Sequence, residues 1–111
     1  MARFLCVCRR GNVRSVAVAT FLKEVHNHEA VAIGFETAGP ELVDVLGRWA
    51  DRILVARSEF AAHVPDRFVP KIAILDIGPD VFGSPTHPEL MRIVAFQMEE
   101  FLARPDCRAA V

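Results

Sequence analysis

Long apolar stretches are missing from this chain of 111 residues, and no segment reaches the roughly 18 to 20 apolar residues of a membrane span. Met1-Ala2-Arg3 leads straight into a strand-like run, with no apolar leader and small-residue cleavage site. Both absences point to a soluble, cytoplasmic protein. Charge of one sign is lacking too: 13 basic residues face 14 acidic ones for a net −1, which excludes wholesale electrostatic binding to nucleic acid or to a membrane surface. Lysine is nearly absent, with Lys23 and Lys71 alone, so eleven of the 13 basic residues are arginines, whose planar fork matches oxyanions. Cysteine is scarce and odd in number, at three, without the spacing of a metal site or a disulfide framework, as expected where thiols stay reduced. Cys6 and Cys8, two apart in a strand, share a face without being placed to bridge. His26 and His28 read as solvated, His63 has no evident partner and His87 flanks a helix, so no metal site and no cofactor are expected.

What is present is a chain that is 52% hydrophobic, enough to bury a sizeable core but too short for a second one. A single domain over 1–111 is expected, with a frayed tail at about 104–111. Arg3 to Val7 reads as a continuously apolar strand of the kind buried on both faces of a parallel sheet. Ser15 is a good N-cap for a helix to about Val25. Ala30 to Phe35 is a second strand, closed by Gly39-Pro40. Glu41 to Ala50 reads as a helix with Leu42, Val45, Leu46 and Trp49 on its inner face. Arg52 to Ala56 is a third strand, Ser58 opens a short helix ending before Pro65, and Lys71 to Leu75 is a fourth strand. The stretch 76–88 is a long loop rich in glycine and proline, and loops of that length in a small domain are usually functional or disordered. A helix from Glu89 to about Ala103 carries the stripe Leu90, Ile93, Val94, Met98, Phe101 and Leu102. Alternating strands and helices predict an α/β fold, a three-layer α/β/α arrangement around a four-stranded, mostly parallel twisted sheet.

Ligands of such sheets bind outside the carboxyl ends of the strands, where the loop 8–15 and the Gly/Pro loop both emerge. Cys8-Arg9-Arg10-Gly11-Asn12-Val13-Arg14-Ser15 joins a strand to a helix start, so successive backbone N–H groups and the helix dipole converge on one anion. The same field stabilises a thiolate at Cys8, a nucleophile toward phosphorus. Arg14 is the clamp for equatorial oxygens, and Ser15 donates to the sulfur as it departs. Gly11 and Asn12 tolerate the left-handed backbone that the loop needs. Arg9 and Arg10 read two ways, as a basic rim favouring acidic ligands or as solvent-facing charges.

Cys8, five residues and Arg14-Ser15 behind a first strand resemble the signature of the low-molecular-weight protein tyrosine phosphatases and of the arsenate reductases that share their fold. Phe35-Glu36-Thr37-Ala38-Gly39 is similar to that family's Ser-Ala-Gly turn. Trp49-Ala50-Asp51-Arg52-Ile53-Leu54-Val55 is similar to the segment entering its third strand, and Asp80-Val81-Phe82-Gly83 to its Asp-Pro-aromatic-Gly loop. The resemblance implies a metal-free phosphomonoester hydrolase with a phosphocysteine on Cys8. Asp80 is then the general acid, with Asp76 as its competitor, and Phe82 is either an apolar wall for a substrate ring or a core residue. Its partners would be a phosphorylated protein or small aryl phosphate, and phosphate or sulfate as simple anions. Arsenate reduction needs a thiol relay, for which Cys107 is the one candidate; a non-catalytic phosphate-binding module is the third reading. Gly11-Asn12 stand three and four residues after the cysteine, where the family usually has them two and three after it. Val13 replaces a common cysteine, and Val16 the usual proline.

Overall fold

The apolar run ahead of Cys8 becomes β1 (Arg3–Cys8), with every residue after Arg3 buried. In the computed structural model, which describes residues 2–78 and 81–103, β1 lies inside a four-stranded sheet with β2 (Glu29–Gly34), β3 (Arg52–Val55) and β4 (Ile72–Ile74). The order is β2-β1-β3-β4 and every pairing is parallel. Cys8 stands opposite Gly34, and Val7 opposite both Ile33 and Val55.

Right-handed crossovers assign the layers. The step from β1 to β2 carries α1 (Arg14–Glu24) to one face, where it packs on β1, β2 and α3 (Pro88–Leu102). The steps to β3 and β4 run the other way across the sheet and put α2 (Pro40–Trp49) and two 3₁₀ segments, Ser58–His63 and Asp66–Lys71, on the opposite face. Side-chain alternation along β1 agrees. Phe4 meets the Phe101 ring of α3, whereas Leu5 and Val7 line a small apolar cavity with Val43, Val64 and Phe68. Cys8 therefore shares the α1 face with Phe4.

Strands and long helices fall within a residue or two of their expected ends. The second 3₁₀ segment is new, since the sequence ends the short helix before Pro65 and predicts nothing further before β4. It brings Lys71 Nζ to the end of α2, where the ammonium donates to the carbonyl oxygens of Gly47 and Ala50, each at 2.8 Å, and offsets the negative end of the helix. The inner face of α2 also differs. Leu42 and Val45, expected inside, are 47% and 55% exposed, whereas Leu46 and Trp49 pack inward as expected and are joined there by Val43 and Gly47. The cause is Gly47, where an added Cβ would lie 2.4 Å from the Phe68 ring, so the helix docks through its bare backbone and rotates the neighbouring stripe outward.

The histidines depart from expectation as well. His26 and His28 are half-buried, and His28 Nδ1 accepts the Ala2 N–H at 3.0 Å while its ring meets Phe4 edge-on. His63 has a partner after all, lying flat on Phe35 with ring centroids 3.9 Å apart. Among the described residues no helix is long and apolar enough to cross a membrane. The tail 104–111, with Cys107, lies outside the described residues.

Candidate active site

Cys8 ends β1 with 2% of its surface exposed, and the chain turns over it at once. The Gly11 N–H donates to Cys8 Sγ at 3.1 Å, and Sγ lies 3.1 Å from the hydroxyl of Ser15. Ser15 is thus not the N-cap of α1. Val13 holds that place without a side-chain cap bond, and the Ser15 hydroxyl, one residue into the helix, is free for the sulfur. The thiol donates to Oγ when protonated; when it is a thiolate the hydroxyl turns and donates to sulfur. The first N–H groups of α1 have no intrahelical partner and point with the helix dipole toward the same place.

Two glycines let this loop close. Gly11 has φ +76°, the left-handed region, and a Cβ there would lie 2.4 Å from the Gly34 nitrogen. At Gly34 a Cβ would lie 2.1 Å from the Arg10 carbonyl carbon. The loop therefore crosses β2 backbone on backbone, and three hydrogen bonds hold it there. Phe35 N–H donates to Cys8 O at 3.0 Å, Glu36 N–H to Arg9 O at 2.9 Å, and Thr37 Oγ1 to Arg10 O at 3.3 Å. Asn12 needs no left-handed backbone, because Asn27 is the one non-glycine with positive φ among the described residues. The later glycine thus has a role of its own: at position 11 it supplies both the turn and the N–H on the sulfur.

Arg14 is only 3% exposed. Its Nη1 donates to the carbonyl of Gly78 at 3.0 Å, and its guanidinium carbon lies 5.1 Å from the centre of the Phe60 ring. Its Nε is buried with no hydrogen-bond partner among the described residues. A buried guanidinium with an unused donor, six residues along the chain from the cysteine, suits an oxyanion, which takes two parallel N–H bonds from such a fork. Arg9 and Arg10 are exposed and both face Glu36, at 3.5 Å and 4.0 Å. The Val13 side chain is buried in the core.

The second loop reaches the first through Gly78, which has φ +87° and lies two residues before Asp80. Asp80 itself falls outside the described residues. Asp76 is exposed, and its N–H meets Gln97 Oε1 on α3 at 3.3 Å. Phe82 is half-buried with its ring tilted against His87, which caps α3 by accepting the Glu89 N–H on Nδ1 at 3.1 Å. Burial pushes the Cys6 thiol far above its ordinary pKa, with Lys23 pulling weakly the other way, so Cys6 stays a neutral core residue. Among the described residues no group of three or more His, Cys, Asp or Glu side chains is placed to hold a metal ion.

Gly34, Phe60 and Gly78 carry no chemistry in the sequence and are not legible there as site residues. Their one signal is position, since Gly34 ends β2 and Phe60 and Gly78 follow β3 and β4 at the edge where such sheets bind ligands.

No protein-family model matches the sequence, and no curated protein does. Solved structures match it. Wzb from Vibrio vulnificus, solved with benzylphosphonate, superposes with a TM-score of 0.69 at 13% identity, over 90% of this chain and 96% of that one. A YwlE mutant from Bacillus subtilis gives 0.65 at 18% identity, over 94% and 100% of the two chains. The YwlE arginine phosphatase of Geobacillus stearothermophilus gives 0.63 at 18% identity, over 94% and 98%. The expected architecture is therefore borne out, and the chain has the fold of the low-molecular-weight phosphatases.

Proposed function

We propose that this chain is a cysteine-dependent phosphomonoester hydrolase, protein tyrosine phosphatase-like in its chemistry, working through a phosphocysteine. The observation that carries the reading is the convergence on one sulfur. Cys8 Sγ sits under the Gly11 N–H and beside the Ser15 hydroxyl, just ahead of α1, whose first residue is a buried arginine with an unused donor.

The Cys8 thiolate attacks phosphorus as the ester oxygen leaves, and Arg14 holds the equatorial oxygens across which charge spreads. Asp80 gives its proton to the leaving oxygen and takes one from the water that cleaves the S–P bond. Ser15 donates to the sulfur as it departs in that second step. Sulfur returns as thiolate, phosphate is released, and Asp80 ends protonated as it began.

The substrate we propose is a phosphorylated protein or a small aryl phosphate. The benzylphosphonate on Wzb supports an aromatic group beside the phosphorus, and Phe82 is the wall we assign to it. Cys6 and Cys8, both free thiols, suit a reducing compartment, which we take to be the cytoplasm. An arsenate relay gains nothing from Cys6, whose thiol is sealed in the core.

The test is hydrolysis of an aryl phosphate by wild type, Cys8→Ser and Asp80→Asn. We expect Cys8→Ser to be inactive and Asp80→Asn to lose about 100- to 10,000-fold, the usual worth of general acid–base catalysis. Wild-type hydrolysis no faster than Cys8→Ser overturns the proposal. A phosphoarginine peptide belongs in the same assay, since one structural neighbour is an arginine phosphatase.

A further inference from the structure

We propose that Phe60 is a positioning residue for Arg14, an inference that rests on reading residues 8–15 as an oxyanion cradle. A guanidinium buried to 3% exposure has lost most of its water and needs compensation inside the protein. The described residues offer it one hydrogen bond, from Nη1 to the Gly78 carbonyl at 3.0 Å, and one ring, Phe60 at 5.1 Å. A carboxylate in place of that ring would also stabilise the cation. It would do so by taking the N–H donors and cancelling the charge, leaving the arginine with nothing for a phosphate. The face of an aromatic ring attracts the cation through its quadrupole and takes no N–H. Phe60 thus keeps Arg14 buried, charged and still able to donate.

The ring is itself fixed. Phe60 is 2% exposed, follows β3 in the first 3₁₀ segment, and meets Phe35 at 5.1 Å, which in turn lies flat on His63. Phe35 also anchors the cradle, since its N–H holds the Cys8 carbonyl. One rigid aromatic unit therefore touches both the loop that carries the sulfur and the side chain that is to clamp the substrate. The ring and the Gly78 carbonyl fix the guanidinium from two directions, and the unpartnered Nε is left for the anion.

Phe60→Leu and Phe60→Met keep an apolar side chain and remove the ring. Pentafluorophenylalanine at position 60 keeps the outline of the ring and reverses its quadrupole. Three readouts are taken on wild type and variants: the dissociation constant for inorganic phosphate, the Arg14 Nε–H resonance by NMR, and kcat and KM for an aryl phosphate. In all three variants the phosphate dissociation constant should rise about three- to thirtyfold, the range spanned by cation–π contacts. The Arg14 Nε–H signal should lose its ring-current shift in the Leu and Met variants and broaden through exchange with water. The catalytic loss should fall more on kcat than on KM, because Arg14 acts most where charge spreads in the transition state. A purely packing role lowers the melting temperature and moves none of these. Unchanged phosphate affinity in folded variants overturns the inference, and the fluorinated ring decides alone if Leu and Met do not fold. Failure of wild type to bind phosphate overturns the cradle reading itself, whereas wild-type binding that survives all three substitutions overturns only the role of Phe60.

Discussion

Gly11 meets two demands at once, a left-handed backbone and a close pass over Gly34, and a side chain can satisfy neither. Gly11→Ala should therefore cost at least about 2 kcal/mol, combining backbone strain with overpacking, as measured by urea unfolding. Gly39 is the comparison: its φ of −72° suits any residue and a Cβ there meets nothing within 4 Å, so Gly39→Ala should cost no more than about 1 kcal/mol, from the poorer fit of alanine to the N-cap of α2. At Arg14 the argument concerns shape more than charge. Arg14→Lys keeps the cation but gives up the fork, and turnover of an aryl phosphate should fall about 100- to 1,000-fold, the usual cost of losing a preorganised donor to the developing charge.

At the scale of elements, α2 shows where intrinsic propensity misleads. A glycine inside a helix costs about 1 kcal/mol relative to alanine, so propensity alone makes Gly47→Ala stabilising. The Phe68 ring stands where the new methyl group would go, and Phe68 is 4% exposed with little room to yield. We expect Gly47→Ala to destabilise by about 1 to 3 kcal/mol, read from the midpoint of chemical denaturation. The same contact explains what the sequence could and could not convey. Strands and helices were legible because their apolar runs and turn residues are local signals, and Cys8, Arg14 and Ser15 because their spacing sits at a strand-to-helix switch. The outward turn of Leu42 and Val45 is hidden in the sequence, since they fit the spacing of Leu46 and Trp49 as well as Val43 does, and only the distant Phe68 decides between them. Ser15 reads as a cap in the sequence because its contact with Cys8 Sγ is set by the fold. Phe60 and Gly78 were invisible for a like reason: they act on Arg14 from 46 and 64 residues downstream.

For the molecule as a whole, the residue before β1 is tied to the residue before β2 through an acid-sensitive contact. Burial holds the pKa of His28 below its ordinary value, with His26 nearby adding to the effect, and the Ala2 N–H on Nδ1 requires that nitrogen unprotonated. Above about pH 6.5 His28 is neutral in both the folded and the unfolded chain. Below it the unfolded chain takes up a proton that the folded chain resists, so the contribution of His28 to stability declines as pH falls. The melting temperature should drop between about pH 7 and pH 5, and His28→Asn, which keeps an acceptor at the Nδ1 position but does not titrate, should flatten that part of the profile.

The central place of β1 has a further consequence, for the order in which the molecule comes into being. The cysteine leaves the ribosome well ahead of its supports, for its strand is flanked by β2 and β3, and its arginine is held by residues 60 and 78. Synthesis runs from the N-terminus at about 5 to 20 residues per second, so several seconds separate the appearance of the sulfur from that of its last support. The reactive group is made before it is armed, and a nascent chain carries its nucleophile unassembled until residue 78 has been added.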